Sequence, residues 1–488
     1  MGIKLFLLII FFAVMVGVGF YSRRHVKSVD GFVLGGRSVG PWLTAFAYGT
    51  SYFSAVVFVG YAGQFGWKYG IASTWIGIGN ALIGSLLAWV VLGRRTKVMT
   101  QHLRAKTMPD FFGQRYGSKA LKIVASVIVF VFLIPYTASV YNGLSRLFGM
   151  AFNIPYTWCV IAMAVFTAIY VILGGYMATA INDFIQGIIM LFGIVAVIAS
   201  VLNGQGGFME AVSKMAQIPS DVPATMGQPG AFTSFFGPDP LNLLGVVILT
   251  SLGTWGLPQM IGKFYAIKDE KSINTGTVIS TLFAIVISGG CYFLGGFGRL
   301  FDSAEIYNAE TGAVVYDSII PSMLSKLPDI LIGIVVVLVL SASMSTLSSL
   351  VLTSSSTMTL DLLKDNIMKE MSEKKQIITM QILIVFFIVV SVVIALDPPT
   401  FIAQLMGISW GALAGAFLAP FLYGLYWKGV TRAGVWAGFI AGVGITVSNM
   451  FIGYIASPIN AGAAAMVAGL VIVPLVSLVT PKLKKEDV

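Results

Sequence analysis

From Ile330 to Leu360 the chain runs 31 residues without an Asp, Glu, Lys or Arg. Wound as a helix at ~1.5 Å per residue, such a run exceeds the ~30 Å of a bilayer's hydrocarbon core. Nearly uncharged runs of this kind recur along the whole sequence. In hydrocarbon every backbone N–H and C=O needs an internal partner, so only helices and closed barrels can cross. A barrel would show short segments of alternating polarity instead. Composition agrees with helices: 57% of residues are hydrophobic and 10% charged, against about 25% charged in soluble domains. The chain therefore reads as an all-α polytopic membrane protein, with no soluble domain of useful size left over.

Thirteen spans are expected, near 3–21, 41–63, 69–92, 120–150, 155–175, 179–203, 239–268, 273–300, 319–363, 375–397, 400–427, 430–455 and 459–480. The ninth is too long for one upright crossing and must tilt or project. Placing the N-terminus outside and the C-terminus inside puts 24 of the 30 basic residues on the inner side, as the positive-inside rule requires. These include Lys263 and Lys268 at the inner end of the seventh span, and Lys482, Lys484 and Lys485 in the tail. The net charge of +10 is then loop bias facing anionic lipid rather than a nucleic-acid footprint. The first span lacks a signal-peptide cleavage site. Cys159 and Cys291 fall inside spans, without metal or disulfide spacing, and read as apolar filler. His25 and His102 have no acidic partner at ligand spacing, and no phosphate-cradling loop is present. Enzymatic constellations are thus missing. What remains is transport driven by an ion gradient, an ion channel, or a membrane sensor or scaffold.

Inside the long run lies "SASMSTLSSLVLTSSST", Ser341 to Thr357, in which eleven of seventeen residues carry a hydroxyl. Such hydroxyls often bond back to the i−4 carbonyl and pack helices closely. They can also hold a small hard cation, which favours oxygen ligands. Ala342, Ser345, Thr346 and Ser349 share one helical face. An intact helix frees few carbonyls, so a second, interrupted helix is needed. Two spans look interrupted: the second, with Gly49, Thr50 and Ser51 in its middle, and the seventh, with Gly253, Gly256 and Pro258. They stand five spans apart, the mark of an inverted repeat of five plus five helices. The repeats would be 41–203 and 239–427 within a single domain, with 3–21 and 430–480 as additional helices.

Four stretches resemble the sodium/solute symporter family, which has the leucine-transporter-type fold: "FVLGGRSVGPW", "GGYMATAINDFIQGIIM" from Gly174 to Met190, "ASMSTLSSLVLTSSS", and "GLYWKGVTRAG" from Gly424 to Gly434. The resemblance covers essentially the whole chain. It implies Na⁺ as the coupling ion, held by the carbonyls of Thr50, Phe53 and Ala342 and the hydroxyls of Ser345 and Thr346. Asp183 matches the family's acidic residue near the inner mouth of the sodium path. Its plainer reading is an interfacial carboxylate favoured by a helix dipole.

Two branches of the family are similar to this chain. Tyr52, "IND" at 181–183 and "GLP" at 256–258 resemble the sodium/pantothenate branch. Tyr136 in "PYTAS" and "ISWGALAGAFLAP" resemble the sodium/proline branch. Where proline symporters carry an Asp, this chain has Tyr52. Where they place a Trp and a Tyr, it has Thr250 and Thr254. The expected pocket is aromatic and hydroxylic, from Tyr52, Phe53, Tyr136, Thr254, Trp255 and Trp410. No Arg or Lys is expected at mid-membrane. The partners implied are Na⁺, a small carboxylate-bearing solute and membrane lipid.

Overall fold

The computed structural model describes residues 2–397 and 399–483. Lys484 and Lys485 lie outside the described residues, as does the side chain of His25. Helices dominate, and beyond isolated pairings such as Val39 with Ile267 no strand occurs among the described residues. The chain forms α1 (Gly2–Ser22), α2 (Pro41–Tyr52), α3 (Val56–His102), α4 (Lys119–Phe152), α5 (Tyr156–Gly204), α6 (Pro240–Gly253) and α7 (Pro258–Ala266). There follow α8 (Glu270–Gly295), α9 (Asp329–Ile367), α10 (Glu373–Leu396), α11 (Ile402–Tyr426), α12 (Arg432–Ile452) and α13 (Pro458–Val479).

Among the described residues, eleven continuous segments are long and apolar enough to cross a membrane, rather than the thirteen expected. Two are unusually long. α3 has 47 residues and α5 has 49, over 70 Å each at ~1.5 Å per residue if straight. Neither is straight. Gly70 interrupts α3 at φ 62°, ψ −144°, and Gly175 interrupts α5 at φ 53°, ψ −145°. Only glycine enters that backbone region without strain. Both residues stand where the sequence analysis put boundaries between spans.

Burial separates centre from periphery. The apolar windows of α9 and α11 are 78% and 89% buried, whereas those of α1 and α10 are 28% buried. α9 packs against α5, α4 and α10 and touches α1, α2 and α7. The hydroxyl-rich stretch is thus the axis of the molecule. A membrane core gains little from burying apolar surface against apolar lipid, so close packing and interhelical hydrogen bonds carry more of the load.

The helix ends follow capping rules. Thr107, Ser118, Asp239, Asp269, Ser372 and Thr431 each accept a backbone N–H of the first turn they precede. α4 stops at Asn153, which takes the left-handed conformation.

The Lys-rich face carries an ion cluster that charge counting did not reveal. Lys122 Nζ lies 2.7 Å from Asp110, 3.2 Å from Asp361 and 2.6 Å from Asp365. Thr107 donates to Asp361 at 2.5 Å, and the Lys106 N–H donates to Asp110. The cluster ties the start of α4 to the end of α9. Asp361 is almost wholly buried and, among the described residues, has no other cation within ion-pair distance. Breaking a buried pair by removing one partner typically costs about 3–5 kcal/mol. Lys122→Met should therefore lower the melting temperature of the detergent-purified protein by several degrees, and Lys122→Met/Asp361→Asn should recover much of the loss. A Lys122→Met protein that melts like the wild type would show the cluster to be surface decoration.

Candidate functional site

α2 ends at Tyr52, and Phe53 is extended at φ −109°, ψ 117° before the chain resumes helix at Val56. The break falls two to three residues beyond the Gly49–Ser51 segment expected to form it. No proline or glycine stands at Phe53–Ala55; the local contribution is Ser54, whose Oγ accepts the Val56 N–H of the resuming helix at 3.1 Å. Hydroxyls of α9 hold the rest. Ala55 N–H donates to Ser343 Oγ at 3.1 Å, and Ser51 Oγ pairs with Ser349 Oγ at 2.8 Å. Thr346 Oγ1 donates to the Ala342 carbonyl at 3.1 Å and lies 3.4 Å from the carbonyls of both Thr50 and Ser51. Ser345 Oγ donates to Thr50 Oγ1 at 2.7 Å, which in turn donates to the Phe46 carbonyl at 2.7 Å. Irregular backbone at membrane depth survives only when its polar groups find such partners.

The second break is written locally. Pro258 starts α7, and the residue before a proline is driven out of the helical region; Leu257 sits at φ −87°, ψ 121°. Thr254 to Gly256 form the turn between α6 and α7.

Of the five residues expected to hold Na⁺, the structure brings Thr50, Ala342, Ser345 and Thr346 into one buried cluster. Phe53 stands at the break itself, its ring stacked on Tyr52 at 4.4 Å between centroids. The Ser51 carbonyl joins the cluster although the sequence analysis did not single it out. The donor set is neutral oxygen throughout, carbonyls and hydroxyls sealed from solvent, which suits a monovalent hard cation.

Asp183 lies at the edge of this cluster, fully buried, beside Ser345. α5 restarts after Gly175, so Asp183 is about two turns into the helix. A dipole effect fades within the first turn, so the interfacial reading fails. Its carboxylate instead faces Lys263 of α7, Nζ to Oδ2 3.8 Å. Lys263 is thus buried inside the protein, 2% exposed, rather than solvated on the inner side. It donates to Ser349 Oγ at 2.9 Å and lies over the Tyr176 ring. Charge counting placed Lys263 in a solvated loop because it stands three residues from the end of its helix.

The expected aromatic residues also meet, but they fill the space between the breaks. Tyr52 stacks on Trp410 at 5.9 Å, and Tyr136 meets Trp410 edge-on at 5.9 Å. All three are 1% exposed or less. Tyr52 OH donates to the Thr250 carbonyl. Thr254 Oγ1 donates to the Gly84 carbonyl at 3.0 Å, and Trp255 Nε1 to the Ile83 carbonyl at 3.0 Å. Gly253 lets Trp410 lie flat on α6, since a Cβ there would overlap the indole. Among the described residues, two buried donors, Tyr136 OH and Trp410 Nε1, lack a well-formed hydrogen bond, although they stand beside each other and Tyr136 stands beside Ser54. A narrow cavity of about 50 Å³ reaches the site from the side of Lys106 and Thr107, lined by Lys263, Ser349, Gln259, Thr353 and Ser356.

Comparison with known proteins agrees with this fold. The sodium:solute symporter family model matches residues 32–442. Sodium/proline symporters of Staphylococcus aureus, strains JH9 and NCTC 8325 among them, are 30% identical over 98% of this chain and 92% of their own. The structure of a Na⁺-coupled sialic acid symporter in its substrate-bound outward-open state aligns over 99% of both chains, with TM-score 0.77 at 15% identity. The nucleobase-cation-symport-1 transporter Mhp1, closed around bromovinylhydantoin, aligns over 93% of this chain and 96% of its own, with TM-score 0.56 at 13% identity. The structural likenesses fix the fold. The family match and the sequence relatives fix the class and its coupling ion, Na⁺: this chain belongs to the sodium:solute symporter family.

Proposed function

We propose that the chain takes up a small carboxylate-bearing solute (an amino acid such as proline, pantothenate or another monocarboxylate) together with Na⁺ across a bacterial cell membrane, its N-terminus outside and its C-terminus in the cytoplasm. The observation that carries the reading is the meeting of the α2 break with the hydroxyl face of α9. Thr50, Phe53, Ala342, Ser345 and Thr346 supply the ion's oxygens there. The relatives named sodium/proline symporters support an amino acid. Tyr136 OH and Trp410 Nε1, neighbouring donors that lack a well-formed hydrogen bond among the described residues, suit a carboxylate, with Tyr52, Thr254 and Trp255 as the surrounding wall.

Na⁺ held between α2 and α9 would favour the solute-competent conformation, because a ligand shifts a population only by its differential affinity. The halves 41–203 and 239–427 would then rock against each other. Asp183, beside Ser345 and near the cavity on the Lys-rich side, would draw the ion toward its exit. One charge crossing 100 mV is worth about 2.3 kcal/mol, and a tenfold Na⁺ gradient adds about 1.4 kcal/mol. Together they sustain roughly 500-fold accumulation of a neutral solute at one Na⁺ per turn. A monoanion carried with one Na⁺ gains nothing from the voltage.

Uptake into proteoliposomes tests the reading. Labelled proline, pantothenate and short monocarboxylates are offered with and without an inward Na⁺ gradient, at zero and at negative internal potential. Accumulation of at least one solute should require Na⁺. Equal uptake without Na⁺, or none across the panel, would refute the proposal. A response to voltage separates a zwitterion from a monoanion.

A further inference from the structure

Away from the ion path, two opposite charges line one cavity without pairing. The cavity, about 450 Å³, lies on the face opposite the Lys-rich one, where α4 ends, α5 begins and α10 ends. Asp317, in the turn Tyr316–Ser318, lines it together with Arg146 and Ser145 of α4, Tyr156 and Leu396. Asp317 is 1% exposed. Its Oδ2 accepts the Ile402 N–H at the start of α11 at 3.3 Å, while Oδ1 has no partner among the described residues. The buried Ser145 hydroxyl has none there either. Arg146 donates through Nε to Asn142 Oδ1 at 3.0 Å, and among the described residues its terminal nitrogens reach no carboxylate. Burial pushes the Asp317 carboxyl up to about 6, with Arg146 pulling it down, so it is mostly ionised at neutral pH. A buried charge with a free oxygen is costly unless it is paired and hydrogen-bonded. The arrangement suits a ligand with an ammonium for Asp317 and an anion for Arg146. The surroundings are those of a lipid. The Tyr156 hydroxyl donates to the Ala395 carbonyl and so joins α5 to α10 at the cavity wall. From Leu396 an exposed apolar stripe continues along α10 through Val393 and Val389, which share a helix face. Exposed Trp158, near the start of α5, is the kind of residue that gathers at headgroup level.

We propose that this cavity binds the headgroup of a phospholipid that joins a phosphate to a primary ammonium, as phosphatidylethanolamine does. The phosphate meets the Arg146 guanidinium, whose planar fork matches its oxygens, and the Ser145 hydroxyl. The ammonium donates to Asp317 Oδ1, which a quaternary ammonium cannot do. An acyl chain lies along Leu396, Val393 and Val389. The site shares no residue with the Na⁺ site or the aromatic pocket. The bound headgroup fastens segment 316–325 to α4. That segment covers the first half of α3, where a Cβ on Gly63 would stand 2.9 Å from the Tyr316 carbonyl. The lipid therefore bears on an element pressed against the helix that follows the first break.

The full-length protein, equilibrated with equal parts of phosphatidylethanolamine, phosphatidylcholine and phosphatidylglycerol of identical acyl chains, is released intact into a mass spectrometer and its bound lipids counted. The wild type should retain phosphatidylethanolamine about tenfold over the other two, the worth of one charge-assisted contact. Asp317→Asn keeps an oxygen for the Ile402 N–H and should lose that preference. Arg146→Gln should lower retention of all three about tenfold. A wild type that retains the three lipids alike, or an Asp317→Asn protein that keeps the preference, overturns the proposal. Should the variants fail to fold, the wild type alone decides, offered phosphatidylethanolamine methylated stepwise on nitrogen. Retention should drop when the last N–H is replaced, and a flat series overturns the assignment. Glycine and proline, zwitterions without a phosphate, should leave the lipid count unchanged. Displacement by either would give the cavity to a free amino acid and overturn the lipid site.

Discussion

In Ser345→Ala/Thr346→Ala, the Na⁺ concentration for half-maximal uptake should rise by about 100-fold. The estimate takes each lost neutral ligand at about 1–1.5 kcal/mol, with about 1.4 kcal/mol to a factor of ten. Thr346 reaches the Ala342 carbonyl behind it and the Thr50 and Ser51 carbonyls in front. Its hydroxyl therefore serves both the helix and the break. Ser345 fixes Thr50 in turn. Thr346→Ser keeps the oxygen and should stay within a few-fold of the wild type, which separates ligation from packing. The plainer account, in which Thr346 merely bonds back to the i−4 carbonyl, predicts an unchanged Na⁺ dependence in protein that reaches the membrane at normal levels. That result would remove both residues from the ion site.

Gly66→Ala should be more damaging to the folded protein than any loss of a surface ion pair. α3 and α8 cross with their backbones in direct contact. A Cβ on Gly66 would overlap the Gly295 carbonyl, and one on Gly295 would overlap the Ala62 carbonyl. No flexible side chain stands there to move aside, so the helices themselves must part. Inserting a methyl into a packed core costs about 1–3 kcal/mol when side chains can adjust, and here the penalty should reach or pass the top of that range. Gly66→Ala and Gly295→Ala should each lower the detergent melting temperature markedly and cut the yield of monodisperse protein. Gly444→Ala is the control, since a Cβ there meets no atom within 4 Å. Equal melting of Gly66→Ala and Gly444→Ala would disprove the tight crossing.

Several features were legible because the cause is local. The crossing segments follow from uncharged length. The second break follows from Pro258 with Gly253 and Gly256. The hydroxyl face of α9 is a matter of helical spacing. The residues that escaped are those whose role is set by partners far away in sequence. Lys263 reads as a loop lysine until Asp183, eighty residues earlier, is placed against it. Lys122 reads as one more positive charge until Asp110, Asp361 and Asp365 gather around it. Tyr52, Tyr136 and Trp410 were recognisable as aromatic candidates, but their mutual stacking depends on the angle at which α2, α4 and α11 meet. The first break was located two or three residues early because glycine is a visible punctuation mark and a borrowed hydrogen bond is not.

That borrowed break has a consequence for how such a machine can be altered. Apart from the Ser54 cap, the bend at Phe53 is not a property of the segment that bends. Its instructions are written some 290 residues downstream, in Ser343, Thr346 and Ser349. Grafted alone onto another scaffold, residues 41–69 would carry only the Ser54 cap with them, and a single serine changed in α9 could straighten a helix it does not belong to. The two helices form one inherited unit, and a substitution in either is to be judged by what it does to the other's shape.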